Sequence, residues 1–399
     1  MHKIIMKICF IKYSIQYFLN LYLALLVFNI VYKGKTLKGS ISMGSSSGKF
    51  CDENILELLK YLQNNNEYVN YIIDKDSPDY YKINKVTPPL KRFSFNANLK
   101  IFRSEIIIYD TSYIDLIRCN SKYIKHIKKI NIFHGIHGLK KVSVQNANKR
   151  VKNDNYIIAS SDYEAKIKES WGFSKDKIFV TGLPRFDNLE RAKKNNKTEN
   201  IIFFMPTWRP WFKRGFLNPS DKELNEFKNS NYYKNILKVA SSKAINEYLK
   251  EHNFILEIYV HKLMNKYLNN VSGLNNMSNI HFLDDGTNIQ NCIINSKILI
   301  TDYSSIFFDF LYLEKPIILF QFDKNKYYRS IPGSYISDEE VSELTVFNAD
   351  ELFTKIKMHI KTQYDPFNIQ SNRLSSRYIK FKDGNNCYRV YDMIKKIKD

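Results

Sequence analysis

Residues 298–313 run Ile-Leu-Ile-Thr-Asp-Tyr-Ser-Ser-Ile-Phe-Phe-Asp-Phe-Leu-Tyr-Leu, an apolar strand that leads through two hydroxyls into a helix. The strand covers 298–300, the turn 301–303, and Ser304 or Ser305 caps the helix. Unsatisfied N–H groups, the positive end of the helix dipole and two hydroxyl donors together suit a diphosphate without a metal. The plainer reading is a serine that caps a core helix. Four more segments stand where strands end and loops begin, the place where open parallel sheets bind ligands. They are His134-Gly-Ile-His-Gly-Leu-Lys-Lys141, Gly182-Leu-Pro-Arg-Phe-Asp187, Met205-Pro-Thr-Trp-Arg209 and Tyr259-Val-His261. A hydroxyl that attacks phosphorus needs a proton acceptor, and histidine titrates near neutrality, so His134 is a candidate base. Charge on a transferring phosphoryl group must be met by fixed cations and donors. Arg185, His261, Thr207, Ser304 and Ser305 are candidates for that role. Asp309 falls one turn after Ser305 on the same helix face, where its carboxylate can accept from a substrate hydroxyl. Each candidate has a rival reading. His134 beside glycine is also a turn residue, His261 a satisfied strand-end histidine, and Arg185 a partner for Asp187. Trp208 and Trp211 serve either as base-stacking or as packing rings, and Arg209 and Arg214 also read as solvated charges.

In order and spacing, the five segments resemble the CDP-glycerol glycerophosphotransferase family, which includes polymerases and primases of teichoic acid synthesis and relatives in capsule synthesis. The resemblance covers residues 36–390. It is sharpest in Pro206-Thr-Trp-Arg209 and Thr301-Asp-Tyr-Ser-Ser-Ile-Phe-Phe-Asp309. Tyr156-Ile-Ile-Ala-Ser-Ser-Asp-Tyr-Glu164, Glu314-Lys-Pro-Ile317 and Phe322-Asp-Lys-Asn-Lys-Tyr327 agree with it. It implies the GT-B architecture, with two Rossmann-like domains facing across a cleft. It also implies transfer of glycerol phosphate, or a related alditol phosphate, from CDP-glycerol to a hydroxyl of a lipid-linked or polymeric acceptor, with CMP released and no cofactor or metal. By the same resemblance His134 is the base and His261 a second catalytic histidine. Arg185, Pro206, Thr207, Ser304, Ser305 and Asp309 line the CDP-glycerol site, with Lys140, Arg209, Lys262 and Asp302 as secondary candidates.

The chain departs from the family pattern in places. Where the family has a string close to H-G-T-P-L-K, this chain has His134-Gly-Ile-His-Gly-Leu-Lys140, one residue longer and without the proline. His261 is followed by Lys262 rather than proline, and Tyr259 stands two places before it rather than arginine. Either a phosphate contact is lost there or Lys262 replaces it. The chain is also short for a polymerase with an extra amino-terminal module, so primase-like and capsule enzymes stand level with a long-chain polymerase. The alternative is a GT-B nucleotide-sugar glycosyltransferase of cell-envelope polysaccharide synthesis, but no convincing sugar-recognising acidic pair precedes the last motif. Asp74-Lys-Asp76 is a lone D-x-D, better read as a solvated turn than as a metal-diphosphate site.

The elements that must hold these loops alternate between strand and helix, which predicts an α/β fold with parallel, doubly wound sheets. A strand over 39–43 leads into the loop Gly44-Ser-Ser-Ser-Gly48, which lacks the Lys-Ser/Thr of a P-loop and reads as a flexible turn or one edge of the cleft. Strands over 68–73, 105–109, 129–133, 156–159 and 177–181 follow, with a basic helical stretch over 121–128. After the polar run 193–200, a second unit has strands over 201–205, 255–260, 280–282, 297–300 and 316–320 and one long helix over 231–251. The expected domains are a hydrophobic amino-terminal helix over 1–35, an acceptor domain over 36–195 and a CDP-donor domain over 196–399. The last helix is a candidate to pack back on the first of these two domains.

At 399 residues two domains are the default. The net charge of +21 implies an anionic neighbour. Lysines are spread throughout and no stacking-aromatic RNA motif is present, so an anionic membrane surface is the expected partner rather than nucleic acid. Five scattered cysteines without a C-x-x-C pair favour a reducing compartment with no disulfide frame and no zinc site. The uncharged run 13–32 is long enough to cross a bilayer, and lysines on both sides leave its orientation open. The expected location is the cytoplasmic face of the cell membrane, anchored or peripheral.

Overall fold

The computed structural model describes residues 2–195, 198–212, 220–260, 277–284, 286–362 and 369–398, with side chains from residue 14 onward. The chain divides into two compact units. Unit 1 comprises Met1–His134, Val144–Asn188 and Asp383–Asp399, and unit 2 comprises Gly135–Ser143 and Leu189–Lys382.

Unit 1 is built on seven strands: β1 (Leu37–Met43), β2 (Val69–Ile73), β3 (Leu90–Lys91), β4 (Ser104–Tyr109), β5 (Lys128–Asn131), β6 (Tyr156–Ala159) and β7 (Ile178–Val180). They pair in the order β3-β2-β1-β4-β5-β6-β7, parallel throughout. Order reverses between β1 and β4, the topological switch point of a doubly wound sheet. Ile106, Ile107 and Ile108 of β4 are all fully buried, as a strand covered on both faces requires. Helix α1 (His2–Ile30) and helix α2 (Glu53–Asn64) belong to this unit. Asp52 starts α2 by accepting from the Asn54 amide, and Ile55, Leu58, Leu59 and Leu62 form its buried stripe.

Unit 2 has six strands: β8 (Ile201–Phe204), β9 (Ile255–Ile258), β10 (Ile280–Phe282), β11 (Ile298–Thr301), β12 (Ile317–Phe320) and β13 (Thr345–Val346). Their order is β10-β9-β8-β11-β12-β13, again all parallel, with the switch point between β8 and β11. Helix α3 (Ile306–Leu313) follows β11 and is buried at every position.

Several expectations need correction. The single helix over 231–251 is two, Asn231–Ala240 and Lys243–Glu251, because Ser242 caps a new start by accepting from the Ile245 amide. The basic stretch 121–128 holds one 3₁₀ turn, Ser121–Ile124. No helix among the described residues is long and apolar enough to cross a membrane. The run 13–32 instead gives one face of α1, Tyr17, Leu21, Ala24 and Phe28, to a cluster with Ile101, Phe102, Ile117 and Ile124 of unit 1. A helix that packs a stripe at i, i+4, i+7 and i+11 against its own domain is a core element on that side.

Candidate functional site

The loops after β8, β11 and β12 are tied together beneath the switch point of unit 2 by one buried arginine. Arg209 donates from Nη1 to Asp302 Oδ2 at 2.6 Å, and from Nε and Nη2 to the two oxygens of Asp323 at 2.6 and 2.9 Å. Asp302 Oδ1 in turn accepts the amides of Thr207 (2.8 Å) and Tyr303 (2.5 Å). Burial opposes the charge on Arg209, yet Asp302 and Asp323 outweigh it and raise its pKa. The stacked rings of Tyr303 and Tyr327, 3.6 Å apart, close the arginine in. This corrects the expectation for two residues. Arg209 is fully buried and bonded to carboxylates, and Asp302 is spent on Arg209 and on two amides, so both position the loops.

What the braced loops present is different. The Thr207 hydroxyl is buried and has no hydrogen-bond partner among the described residues. Pro206 beside it is buried. Ser305 stands at the N-cap of α3 with helical backbone angles and without a side-chain capping bond, so its hydroxyl is not consumed by the helix, contrary to the plain capping reading. Asp309 lies one turn further on and is buried. Hydroxyls from two loops and the amino end of α3 thus flank the switch point, and Asp309 is carried on that same helix.

The segment Gly135–Ser143 belongs to this unit. Gly135 lies so close to Ser305 that a Cβ built on it would stand 2.6 Å from the Ser305 Oγ. Gly138 is equally tight against the Phe308 ring. Its carbonyl accepts from the Tyr335 amide (2.8 Å), and the Lys141 amide donates to the Gly333 carbonyl (2.7 Å). Lys140 on this segment is half-buried.

His134 is the residue before Gly135 and is assigned to unit 1, where it is exposed. It follows Phe133, which is buried with φ +50°, a left-handed conformation that a bulky residue adopts only when its surroundings impose it. Those surroundings are polar clamps. The Asn54 side chain donates to the Phe133 carbonyl (2.9 Å) and accepts the Arg185 amide (3.0 Å), while Asn131 Oδ1 accepts the Phe133 amide (3.0 Å). Arg185 Nη1 donates to the His134 carbonyl at 2.8 Å. Asp187 accepts the amides of Asn386 and Cys387 and the Asn386 side chain, at 2.7–2.8 Å, and so caps helix α4 (Asn386–Lys398). Asn54, Asn131 and Phe133 were not among the sequence candidates. The one available signal was Asn54, an amide sitting among the apolar positions of α2.

The loop 44–48 is a 3₁₀ turn, Ser46–Gly48, whose amides are already engaged. Ser46 N donates to Asp110 (3.2 Å) and Ser47 N to Asp115 (2.8 Å). It is a pinned turn rather than a flexible one. Asp74 of the D-x-D string pairs with Arg92 at 3.7 Å. His261, Lys262 and Arg214 lie outside the described residues.

Two parallel α/β units of the nucleotide-binding type, with hydroxyls and a helix amino end at a switch point, define the class. Solved structures agree on the fold. The wall teichoic acid polymerase TagF matches with a TM-score of 0.68 at 19% identity over 98% of both chains. A UDP-GlcNAc 2-epimerase from Neisseria meningitidis matches at 0.55 and 12%, over 90% of this chain and 99% of that one. The family model "CDP-Glycerol:Poly(glycerophosphate) glycerophosphotransferase" matches residues 26–396, and the chain belongs to that family. Among curated relatives, the minor teichoic acid biosynthesis protein GgaB of Bacillus subtilis (strain 168) is 25% identical over 86% of this chain. The teichoic acid glycerol-phosphate primase of the same organism is 24% identical over 74%. The matched region spans 38% of the length of GgaB and 75% of that of the primase.

Proposed function

We propose that this protein moves glycerol phosphate, or a related alditol phosphate, from a CDP-linked donor to a hydroxyl of a lipid-linked or polymeric acceptor in teichoic acid or capsule-type polymer synthesis. The acceptor oxygen attacks the phosphorus that carries the alditol, the anhydride P–O bond to CMP breaks, and the acceptor proton passes to the His134 imidazole. The Thr207 hydroxyl, Ser304, Ser305 and the amino end of α3 bind the pyrophosphate. Asp309 accepts from a hydroxyl of the alditol or ribose, and His261 and Lys262 are assigned to the leaving phosphate. Arg185 acts through the His134 carbonyl as a positioning residue. Fixed donors and cations carry the charge, so no metal is required.

The observation that carries this reading is the close approach of Gly135 to Ser305. It leaves a backbone without side chain beside the helix end, immediately after the histidine in sequence. The test is CMP release by the purified protein from CDP-glycerol, CDP-ribitol and a UDP-sugar, with and without a lipid-linked acceptor and with EDTA. CMP release from a CDP-alditol that survives EDTA is expected. Turnover of the UDP-sugar alone would overturn the assignment.

We also propose that the protein works at the cytoplasmic face of the membrane, held there peripherally by α1. The face of α1 turned away from unit 1 carries Ile15, Phe18, Leu19, Tyr22, Leu23, Leu26 and Ile30, each at least half exposed. Lys33, Lys35 and Lys38 follow it, as an in-plane helix on an anionic surface requires.

A further inference from the structure

The main chain at Phe133 is held by amide and carbonyl bonds, whereas its ring is held by charge. The ring is fully buried. Two cations lie over it, the Lys168 ammonium at 4.2 Å from the ring centroid and the Arg150 guanidinium carbon at 4.9 Å. Trp171 meets it at 6.1 Å with the two planes at 78°. All four residues belong to unit 1.

Both cations are out of water at a cost. Lys168 comes from helix Asp162–Glu169, and Glu164, one turn earlier and equally buried, pairs with it at 3.1 Å. Burial lowers the pKa of the lysine, and Glu164 works against that. The Ser160 amide and hydroxyl fix Glu164 in turn, each at 2.8 Å. Arg150 comes from helix Val144–Asn153, and its Nη1 is buried without a hydrogen-bond partner among the described residues. A buried ion pair adds little stability over apolar side chains of the same shape, and its best-attested use is to fix one geometry over its rivals. The face of an aromatic ring attracts cations at these distances, more strongly when they are desolvated.

The geometry fixed here is that of a backbone. Phe133 has φ +50°, which is costly for a residue with a Cβ. A return to negative φ would swing the chain that follows, beginning with the Phe133 carbonyl on Asn54 and the His134 carbonyl on Arg185. A ring that cannot leave its cations denies the residue that return. We propose that Phe133, Lys168 and Arg150 are positioning residues for the transfer. The cations hold the ring, the ring holds the left-handed backbone, and that backbone sets where the His134 imidazole stands.

The inference rests on His134 acting as the base of the proposed transferase, and the experiment separates the two. Fluorinated phenylalanines are introduced at Phe133 of the full-length protein by nonsense suppression, since added fluorines drain the ring face of charge with little change in shape. The same series at Phe102, a buried ring with no cation over it among the described residues, controls for size. At Phe133, log kcat for CMP release from CDP-glycerol is expected to fall stepwise with fluorine number, about tenfold in all, while the donor Kd changes less than about twofold. Exchange of the Phe133 amide hydrogen, which Asn131 accepts, should quicken in the same order. Glu164→Gln combined with Lys168→Met removes both charges of the ion pair at nearly constant shape and should lower kcat likewise; wild-type kcat there overturns the role of Lys168. A flat kcat across the series, or an equal fall at Phe102, overturns the positioning role. Exchange that quickens stepwise in a protein that releases no CMP keeps the caged ring and overturns the transferase reading instead.

Discussion

At the scale of single residues, the site depends on groups that touch no substrate. Gly135→Ala adds a methyl where Ser305 already stands 2.6 Å away, so it is expected to weaken CDP-glycerol binding more than tenfold while leaving the thermal midpoint within a few degrees, read by calorimetry and melting. His134→Ala should lower kcat by roughly 10²–10⁴-fold, the usual contribution of a general base, with the donor Kd unchanged. A surviving kcat would remove the base assignment. Asp154 provides a pH test of the fold. Burial raises its carboxyl to about 6, even though Tyr109 and Asn131 donate to it. The folded state therefore holds that proton more tightly than the unfolded chain does. The resulting stability is complete below about pH 4 and gone above about pH 6, on the order of 3 kcal/mol. Urea midpoints from pH 4.5 to 7 should fall for the wild type relative to Asp154→Asn; parallel curves would refute the assignment. The places of Thr207 after β8 and of Ser305 at the start of α3 were legible because strand ends and helix starts are local patterns. Asn54 and Asn386 were not, because their partners lie 79 to 199 residues away and leave no trace nearby. Arg209 read as a solvated charge for the same reason, since its two aspartates are 93 and 114 residues distant.

At the scale of elements, apolar periodicity located the strands well. β6 and β10 stand where the sequence placed them, and the other strands compared there shift only at their ends, as with β11 at 298–301 against an expected 297–300. Caps were harder to read than strands. Ser241 and Ser242 look like ordinary polar positions of a long helix until the Ser242 hydroxyl is seen taking an amide. The least legible element was α1, because both of its faces are apolar and only packing tells them apart. That gives a paired prediction. Leu21→Ala, on the packed face, is expected to lose about 2–5 kcal/mol of stability by denaturant titration. The double substitution Leu19→Glu and Leu23→Glu, on the exposed face, should leave stability nearly unchanged and abolish flotation with phosphatidylglycerol vesicles. Equal behaviour of the two variants in both assays would contradict the assignment of faces.

At the scale of the molecule, the chain carries +21 formal charges, so vesicle binding should weaken steeply between 50 and 500 mM salt, with a residue that persists from the apolar face alone. Salt-independent flotation would assign binding to α1 without the lysines. The two-sheet plan was legible because alternating strands and helices allow few topologies. The position of each functional loop in its sheet was not, since strand order depends on pairings between distant segments. Unit 1 contains the stretch 383–399, where Asp187 caps α4, Gly182 (φ +76°) lies against Asn386, and Lys398 pairs with Glu67 at 2.7 Å. Synthesis runs from the amino end, so the lobe that leaves the ribosome first must wait with a helix-sized gap while the other lobe is made. Its acidic socket at Asp187 and its Glu67 partner stay unfilled for nearly two hundred residues of translation, so this lobe, though begun first, can be completed only when the chain ends.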